Sequence, residues 1–220
     1  MELEQAITTR YSARKITKRP APRETMENIL DLARHTASWC NTQPWLLVVT
    51  SGEATERFRE VLWTHAAAGN PPEPDFPFPP QYAGVYQERR KVCGVQLYEA
   101  IGVTREDKLG AMKQMLENFR FFGAPHVALL TTEETLGFYG GVDCGLFINS
   151  FMLAARSLGV DCVAQAALAS YPGFIRNYFG LPENRKLVCG ISFGYAEAEH
   201  PINKYRTARV AMNEMVRWEG

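Results

Sequence analysis

The stretch GGVDCGLFINSFMLAARSLG, residues 140–159, is an apolar segment that the rest of the fold must cover. It is apolar on nearly every side, and a helix of that kind needs burial all round. We therefore predict a central, buried helix here. A single chain has difficulty covering such a helix completely, so the stretch also favours a dimer.

Short strand-like segments and longer helix-like segments surround this stretch. We predict strands over 45–52, 126–132, 160–165 and 186–196. We predict helices over 2–9, 21–37, from about 53, 84–101, 104–122 and 172–180. Few strands, long helices and no internal repeat indicate one domain over 1–220, of α+β or α/β class, with helices on both faces of one sheet.

Two segments do not fit regular structure. Residues 69–80, GNPPEPDFPFPP, hold six of the thirteen prolines and are predicted to form a semi-rigid loop or flap. The tail from His200 to Gly220 is polar and has no obvious core face. A tail of this kind often wraps a partner subunit, which again favours a dimer.

The charge balance excludes several classes of partner. Lys plus Arg and Asp plus Glu number 24 each, so no global field attracts nucleic acid or an anionic membrane. The N-terminal MELEQAITTR lacks the apolar core of a signal peptide, and no apolar run approaches transmembrane length. We therefore expect a cytoplasmic protein that binds neither nucleic acid nor membrane.

The cysteines and histidines do not form a metal-binding pattern. The five cysteines are scattered, odd in number and without a C-x-x-C pair, which favours reduced, buried thiols. The four histidines have no metal-like spacing, and His126 is predicted to be a packed residue at the start of a strand. We expect no metal site.

Two basic clusters lie at opposite ends of the sequence. RYSAR places Arg10 and Arg14 on one face if the segment is helical, with the Ser12 hydroxyl between them. NKYR places Lys204 and Arg206 two positions apart, so they point the same way if the segment is extended. Arginine forks match phosphate oxygens, but two solvated surface patches would produce the same pattern.

The segment ASWCNTQPW, residues 37–45, is unusually rich in planar groups for the end of a helix. Side-chain amides such as that of Asn41 offer both a donor and an acceptor, which suits the polar edge of an isoalloxazine ring. Asn41 could equally seal the helix C-terminus, with Trp45 buried in the core. The spacing alone does not decide between these interpretations.

Taken in order, RYSARKI, ASWCNTQPW and INKYRT resemble the FMN-dependent nitroreductase family. These segments bracket nearly the whole chain. REDK, NFRFFGAP, GLFINSFMLAARSLGVD and GYAEAEHPINKYRT resemble the branch that includes nitrobenzoate reductases. The resemblance implies a mostly antiparallel sheet sandwiched between helices and a homodimer with FMN at the interface. It further implies a loop-plus-helix insertion over 69–101 and an arm, from about residue 200, that embraces the partner subunit.

The resemblance also implies a set of cofactor-binding residues. Those expected to hold the phosphate and ribityl chain are Arg10, Tyr11, Ser12, Arg14, Lys204 and Arg206. Those expected to reach the flavin from the other subunit are Ser38, Trp39 and Asn41. Those expected beside the ring are Asn118 and Arg120 at the pyrimidine edge and Ala164, Gln165 and Ala166, with a backbone N–H near N5. Gln43 and Trp45 are expected to be structural.

The implied reaction is ping-pong hydride transfer from NADH or NADPH, through FMN, to a nitroaromatic or a similar small planar aromatic acceptor. The flavin carries the chemistry, so we expect no side-chain nucleophile or base. An activated alkene, quinone or halogenated phenol is an alternative acceptor, and an FMN-binding carrier or sensor without turnover is an alternative of another class. Trp39 departs from the small residue usual at its position, which would narrow the acceptor pocket.

Overall fold

Four antiparallel strands form the centre of the fold. In the computed structural model, which describes all 220 residues, they are β1 (Leu46–Ser51), β2 (His126–Glu133), β3 (Asp161–Gln165) and β4 (Arg185–Gly194). Their order in the sheet is β1-β2-β4-β3, and each neighbouring pair is antiparallel. The predicted antiparallel sheet and all four predicted strands are confirmed.

Eight helices surround this sheet and complete an α+β fold. They are α1 (Leu3–Thr9), α2 (Arg23–Ala33), α3 (Glu53–Ala67), α4 (Gly84–Ala100), α5 (Lys108–Leu116), α6 (Gly137–Ser157), α7 (Pro172–Phe179) and the short α8 (Met212–Met215). α2 ends at Ala33 rather than at residue 37, because a turn over Arg34 and His35 follows Ala33.

A hydrophobic core lies on each face of the sheet. Ala128 and Leu130 of β2 pack with α2 and α6, whereas Val127 and Leu129 pack with α3 and α7. Side chains alternate in this way because successive residues of a strand point to opposite faces. His126 begins β2 and is fully buried, and its Nε2 accepts a 2.9 Å hydrogen bond from the Ala21 amide, as expected of a packed residue.

The central helix α6 is buried on one face only. Cys144, Phe147 and Phe151 face the core, but Phe138 is 77% exposed and Leu146 is 48% exposed. The helix is central as predicted, but the single chain buries only its core face. The opposite face remains an uncovered apolar surface.

The same helix corrects a second expectation. We predicted no apolar run of transmembrane length, but residues Glu134–Ser157 are long and apolar enough to cross a membrane by length and composition. Seven residues of α6 are buried, and the helix packs against α2 and the sheet. The apolar residues on the face of α6 that packs against α2 and the sheet therefore fill the core.

The segment predicted as one helix over 104–122 is divided in two. The Asp107 side chain accepts a 2.8 Å hydrogen bond from the Gly110 amide and caps α5, so the helix starts at residue 108. After Leu116 the chain forms a 3₁₀ segment, Glu117–Gly123, in which Phe121 and Phe122 have left-handed φ angles. Both rings are buried, so packing fixes a backbone shape that a regular helix could not supply.

The proline-rich loop is anchored at one end. The Asp75 carboxylate accepts hydrogen bonds from Arg176 at 2.6 Å and from the Leu187 amide at 2.8 Å. Residues 77–92 that follow are all exposed, and α4 has no buried residue at all. The predicted loop is present, and two further hydrogen bonds hold it: the Glu73 amide donates to the Ser170 carbonyl at 2.8 Å, and the Tyr171 hydroxyl donates to the Asn70 carbonyl at 3.2 Å.

The tail is partly docked, contrary to the expectation that it has no core face. Ile202 and Asn203 are buried in a 3₁₀ turn, Pro201–Asn203. From Arg206 to the C-terminus all residues except Val216 are exposed. The free arm thus begins near residue 206, later than the predicted boundary near 200.

Candidate functional site

One cavity joins the two ends of the chain. It has a volume of about 490 Å³ and is lined by the N-terminal segment, by α4 and by the tail. Its lining residues are Ile7, Thr8, Arg10, Tyr11, Ser12, Arg14, Cys93, Tyr205, Arg206, Thr207 and Arg209. The fold therefore brings together the two basic clusters that the sequence holds far apart.

The N-terminal wall of this cavity is extended rather than helical. α1 ends at Thr9, and Arg10 already has extended backbone angles (φ −61°, ψ 135°). Ser12 forms a bridge to Cys162 at the edge of β3, and the Ala13 amide donates to the Cys162 carbonyl. Arg10, Tyr11, Ser12 and Arg14 of this extended segment all line the cavity.

Asn203 joins the tail to the N-terminal segment. Its Oδ1 accepts a 2.9 Å hydrogen bond from the Arg14 amide. Its Nδ2 donates to the carbonyls of Lys15 at 2.7 Å and Glu197 at 2.9 Å. Sequence reasoning missed this role, although Asn203 stands inside the INKYRT segment.

The cavity is strongly cationic. Arg10, Arg14, Arg206 and Arg209 line it without any Asp or Glu, and none of these four forms an ion pair. Four unpaired guanidinium groups around one cavity are suited to an anion with several oxygens, such as a phosphate monoester. Arg209 was not predicted, although it continues the basic pattern of the tail.

Two tyrosines complete the wall. The Arg206 guanidinium carbon lies 3.9 Å from the centroid of the Tyr11 ring, a cation–π contact. Burial, and secondly the Asp161 carboxylate, raise the pKa of Tyr11. Burial also raises the pKa of Tyr205, whose hydroxyl accepts a 2.8 Å hydrogen bond from Arg14. Both hydroxyls therefore stay protonated at neutral pH.

Lys204 is not part of this cavity. Its Nζ lies 2.7 Å from a Glu199 carboxylate oxygen, and both side chains are exposed. Of the residues that the resemblance assigns to phosphate and ribityl binding, the structure therefore brings together Arg10, Tyr11, Ser12, Arg14 and Arg206.

Residues 38–43 form a strained turn elsewhere on the surface. Cys40, Asn41 and Gln43 have φ angles of 50°, 57° and 47°, in the left-handed region that non-glycine residues rarely adopt. The Ser38 hydroxyl accepts from the Gln43 amide at 3.0 Å, and the Gln43 side chain donates to the Asn41 carbonyl at 3.2 Å. Gln43 thus stabilises the turn, while the Asn41 side chain is exposed and free of protein partners.

A second cavity of about 290 Å³ lies between this turn and the start of α6. Trp39 and Tyr139 form one wall, with ring centroids 4.2 Å apart in an edge-to-face arrangement. The buried Asp143 also lines the cavity and accepts from the Trp39 amide with both oxygens, at 3.1 and 3.2 Å. Trp45 packs against Phe147 in the core, at 5.0 Å between ring centroids.

The remaining candidates lie in a third region, near the end of β3. The buried Gln165 side chain donates to the Asn118 carbonyl and Oδ1 at 2.9 and 3.2 Å, and Ser192 donates to its Oε1. Arg120 lies over the Trp63 ring at 4.5 Å and pairs with Glu117. Ala164 lies on β3 and Ala166 follows it, exposed. Both ends of the Gln165 amide are therefore occupied by protein groups.

The chain is similar to known proteins over nearly its whole length. The model of the nitroreductase family matches residues 7–195. Nitroreductase NfnB of Mycolicibacterium smegmatis is 38% identical over 216 residues, covering 98% of this chain and 92% of that protein. The 4-nitrobenzoate reductase of Pseudomonas putida is 31% identical over 210 residues, covering 94% and 91%.

The fold matches a solved structure over the same extent. The crystal structure of the FMN-dependent nitroreductase NfnB from Mycobacterium smegmatis in complex with NADPH superposes with a TM-score of 0.94 at 37% identity. The match covers 99% of this chain and 97% of that chain. The arrangement of sheet, helices and tail is therefore the one found in that structure.

Proposed function

Because the chain belongs to the nitroreductase family, we propose that it is an FMN-dependent oxidoreductase that passes a hydride from NADPH or NADH to a nitroaromatic acceptor. The observation that carries this proposal is the cavity with four unpaired arginines, which two distant segments build together. A site of this kind suits the phosphate of FMN.

The residues of the cavity have distinct tasks in this proposal. Arg10, Arg14 and Arg206 bind the phosphate oxygens, and Ser12 adds a hydroxyl donor. Arg209, on the exposed tail, adds a fourth positive charge. When bound, FMN supplies the two-electron chemistry of both half-reactions. The protein contributes binding, orientation and exclusion of water, so the proposal requires no side-chain nucleophile.

The active protein is a homodimer in this proposal. Phe138, Val142 and Leu146 repeat every four residues along the uncovered face of α6 and are 77%, 41% and 48% exposed. Apolar surface of this kind usually marks an interface. α4, which has no buried residue, and the arm beyond residue 206 also need a partner to pack against.

Each of the two cofactor sites is built from both protomers. The cavity of one protomer binds the phosphate end of the cofactor, and Ser38, Trp39 and Asn41 approach the ring from the other protomer. Asn118 and Arg120 lie toward its pyrimidine edge, and the 164–166 segment runs past it. The exposed and unpartnered Asn41 amide and the exposed Trp39 ring support this assignment.

The acceptor is a small planar aromatic molecule in this proposal. Relatives named nitroreductase and 4-nitrobenzoate reductase support a nitroaromatic. The chain carries five free thiols and no disulfide, which supports a reducing, cytoplasmic location.

The deciding experiment is oxidation of NADPH and NADH by purified, FMN-loaded protein with a panel of acceptors. Turnover with nitroaromatics supports the proposal. Turnover only with an activated alkene, a quinone or a halogenated phenol keeps the flavin chemistry and changes the acceptor. Yellow protein that oxidises neither nucleotide with any acceptor is a carrier or sensor, and the proposal fails.

A further inference from the structure

The turn at residues 38–44 contains backbone φ angles that its residue types rarely adopt. Three of its residues, Cys40, Asn41 and Gln43, occupy the left-handed region without being glycine. Such conformations persist only where surrounding groups fix them. Hydrogen bonds within the turn, from Gln43 to Ser38 and Asn41, supply part of this support, and contacts from outside the turn add to it.

Two charged side chains hold the turn at its two ends. At the start, the Asp143 carboxylate of α6 accepts the Trp39 amide hydrogen with both oxygens. At the other end, the Arg185 guanidinium of β4 donates to the Pro44 carbonyl at 3.1 Å. A negative group takes the N–H and a positive group takes the C=O, so each end has a charge-assisted hydrogen bond.

The two side chains differ in how many partners they have besides the turn. Asp143 is 5% exposed, forms no ion pair and has no hydrogen-bond donor other than the Trp39 amide. Arg185 is largely buried and links the turn to β2, because it also donates to the Thr131 carbonyl at 2.8 Å and hydroxyl at 3.1 Å and lies 3.9 Å from a Glu133 carboxylate oxygen. A buried charge destabilises a fold unless it is well compensated, so a buried carboxylate that serves one backbone amide indicates a positioning role.

We propose that Asp143 and Arg185 are positioning residues that clamp the 38–44 turn in its strained shape and thereby orient Trp39 and Asn41 toward the cofactor. This inference rests on the proposed function only for its last step, the effect on the cofactor. The clamp itself is a property of the folded chain and can be tested without FMN.

The first test uses FMN-free protein. Loss of either hydrogen bond releases the turn, so chymotrypsin should cleave after Trp39 about ten-fold faster in Asp143→Leu and Arg185→Met than in wild type. Mass spectrometry identifies the cut. Asp143→Asn keeps an acceptor oxygen and should show a smaller increase, and it remains informative if Asp143→Leu does not fold.

The second test uses the FMN-loaded protein and asks whether relief of strain restores function. Asp143→Asn should bind FMN about ten-fold more weakly and slow reduction by NADPH. Adding Cys40→Gly should recover about five-fold of the lost affinity, because glycine adopts the left-handed conformation freely. The matched control, Cys40→Ala, removes the same thiol without relieving strain and should recover nothing.

The outcomes separate the two proposals. Unchanged cleavage after Trp39 in all the clamp variants overturns the clamp. Equal recovery by Cys40→Gly and Cys40→Ala overturns the role of strain. Wild-type protein that binds no FMN, together with faster cleavage in the variants, overturns the proposed function and leaves the clamp standing.

Discussion

The Arg14 guanidinium donates a 2.8 Å hydrogen bond to the Tyr205 hydroxyl across 191 residues of sequence. The Arg14 backbone is fixed at the same place, because its amide donates to Asn203. The side chain and the backbone of one arginine are thus both held by the tail. The geometry of the cationic cavity therefore depends on the docking of residues 202–205 as much as on the N-terminal segment.

Phosphate contacts should dominate cofactor retention. Arg10→Ala, Arg14→Ala and Arg206→Ala should each weaken FMN binding by about 1.5–3 kcal/mol, the range for a hydrogen bond to a charged group. Titration of FMN into the apoprotein measures the change. Riboflavin, which lacks the phosphate, should bind poorly and respond much less, and equal losses for both ligands would contradict the assignment.

Lys204→Ala is the matched control for these variants. Its ammonium group is paired with Glu199 on the surface, so its removal should change FMN affinity by less than about 0.5 kcal/mol. A loss as large as that of Arg206→Ala would mean that Lys204 turns into the cavity when the cofactor binds.

A charge on the uncovered face of α6 should separate the subunits. Leu146 is 48% exposed in the single chain, so Leu146→Asp should leave the fold intact and block only the apolar contact with a partner. We expect a monomer that has lost FMN, as judged by light scattering after size exclusion and by flavin absorbance.

Leu32→Asp serves as the comparison for that variant. Leu32 on α2 is 50% exposed, and the same change there should leave a yellow dimer. A wild-type protein that is a colourless monomer and does not take up FMN would refute the dimer proposal directly.

Trp39 should control which acceptors enter. Its ring is 55% exposed beside Tyr139 and offers a stacking face worth about 0.5–1.5 kcal/mol to a planar aromatic molecule. Trp39→Gly should broaden the acceptor range and raise KM for small aromatic acceptors. Stopped-flow measurement of each half-reaction should show normal reduction by NADPH and an altered second half-reaction.

Loss of FMN or of the dimer in Trp39→Gly would show that Trp39 belongs to the dimer interface. If Trp39→Gly loses FMN or falls apart into monomers, its ring packs against the partner subunit rather than lining the acceptor pocket.

Acid should destabilise the fold through His126. Burial lowers the pKa of His126 below its ordinary value of 6.5. Below pH 6.5 the unfolded chain binds the proton more readily than the folded one does. The free energy of unfolding should therefore fall as the pH drops, by at most about 1.4 kcal/mol per pH unit from this group.

Urea unfolding at pH 7.5, 6.5 and 5.5 measures this slope. His126→Gln keeps an acceptor for the Ala21 amide but has no proton to gain, so its stability should depend less on pH in this window. Equal slopes for the two proteins would show that other groups cause the acid sensitivity.

The strands and most helices could be predicted because their signals are local. The short continuous apolar run in HVALLTT and the helical spacing of Met26, Ile29 and Ala33 place each segment against a core without knowledge of the rest of the chain. The ordered motifs at both ends similarly indicated that Arg10, Arg14 and Arg206 belong together.

The features that were missed depend on tertiary contacts. Nothing in the local sequence requires Phe121 and Phe122 to adopt left-handed angles. Both rings are buried, and Phe121 stacks on Phe58 of α3 with ring centroids 5.4 Å apart. The role of Asn203 requires the tail to fold back on Lys15. Asp143 did carry a signal, as an acidic residue within an otherwise apolar helix, but its partner Trp39 could be found only in three dimensions.

The docked tail is synthesised after all four strands of the sheet. The sheet is complete once residue 194 has emerged, but Asn203, Tyr205 and Arg206 follow later. A nascent chain can therefore build its sheet before its cationic cavity is complete. Cofactor loading would then be the last step of maturation, and a truncation before residue 203 would yield a folded sheet without its cofactor.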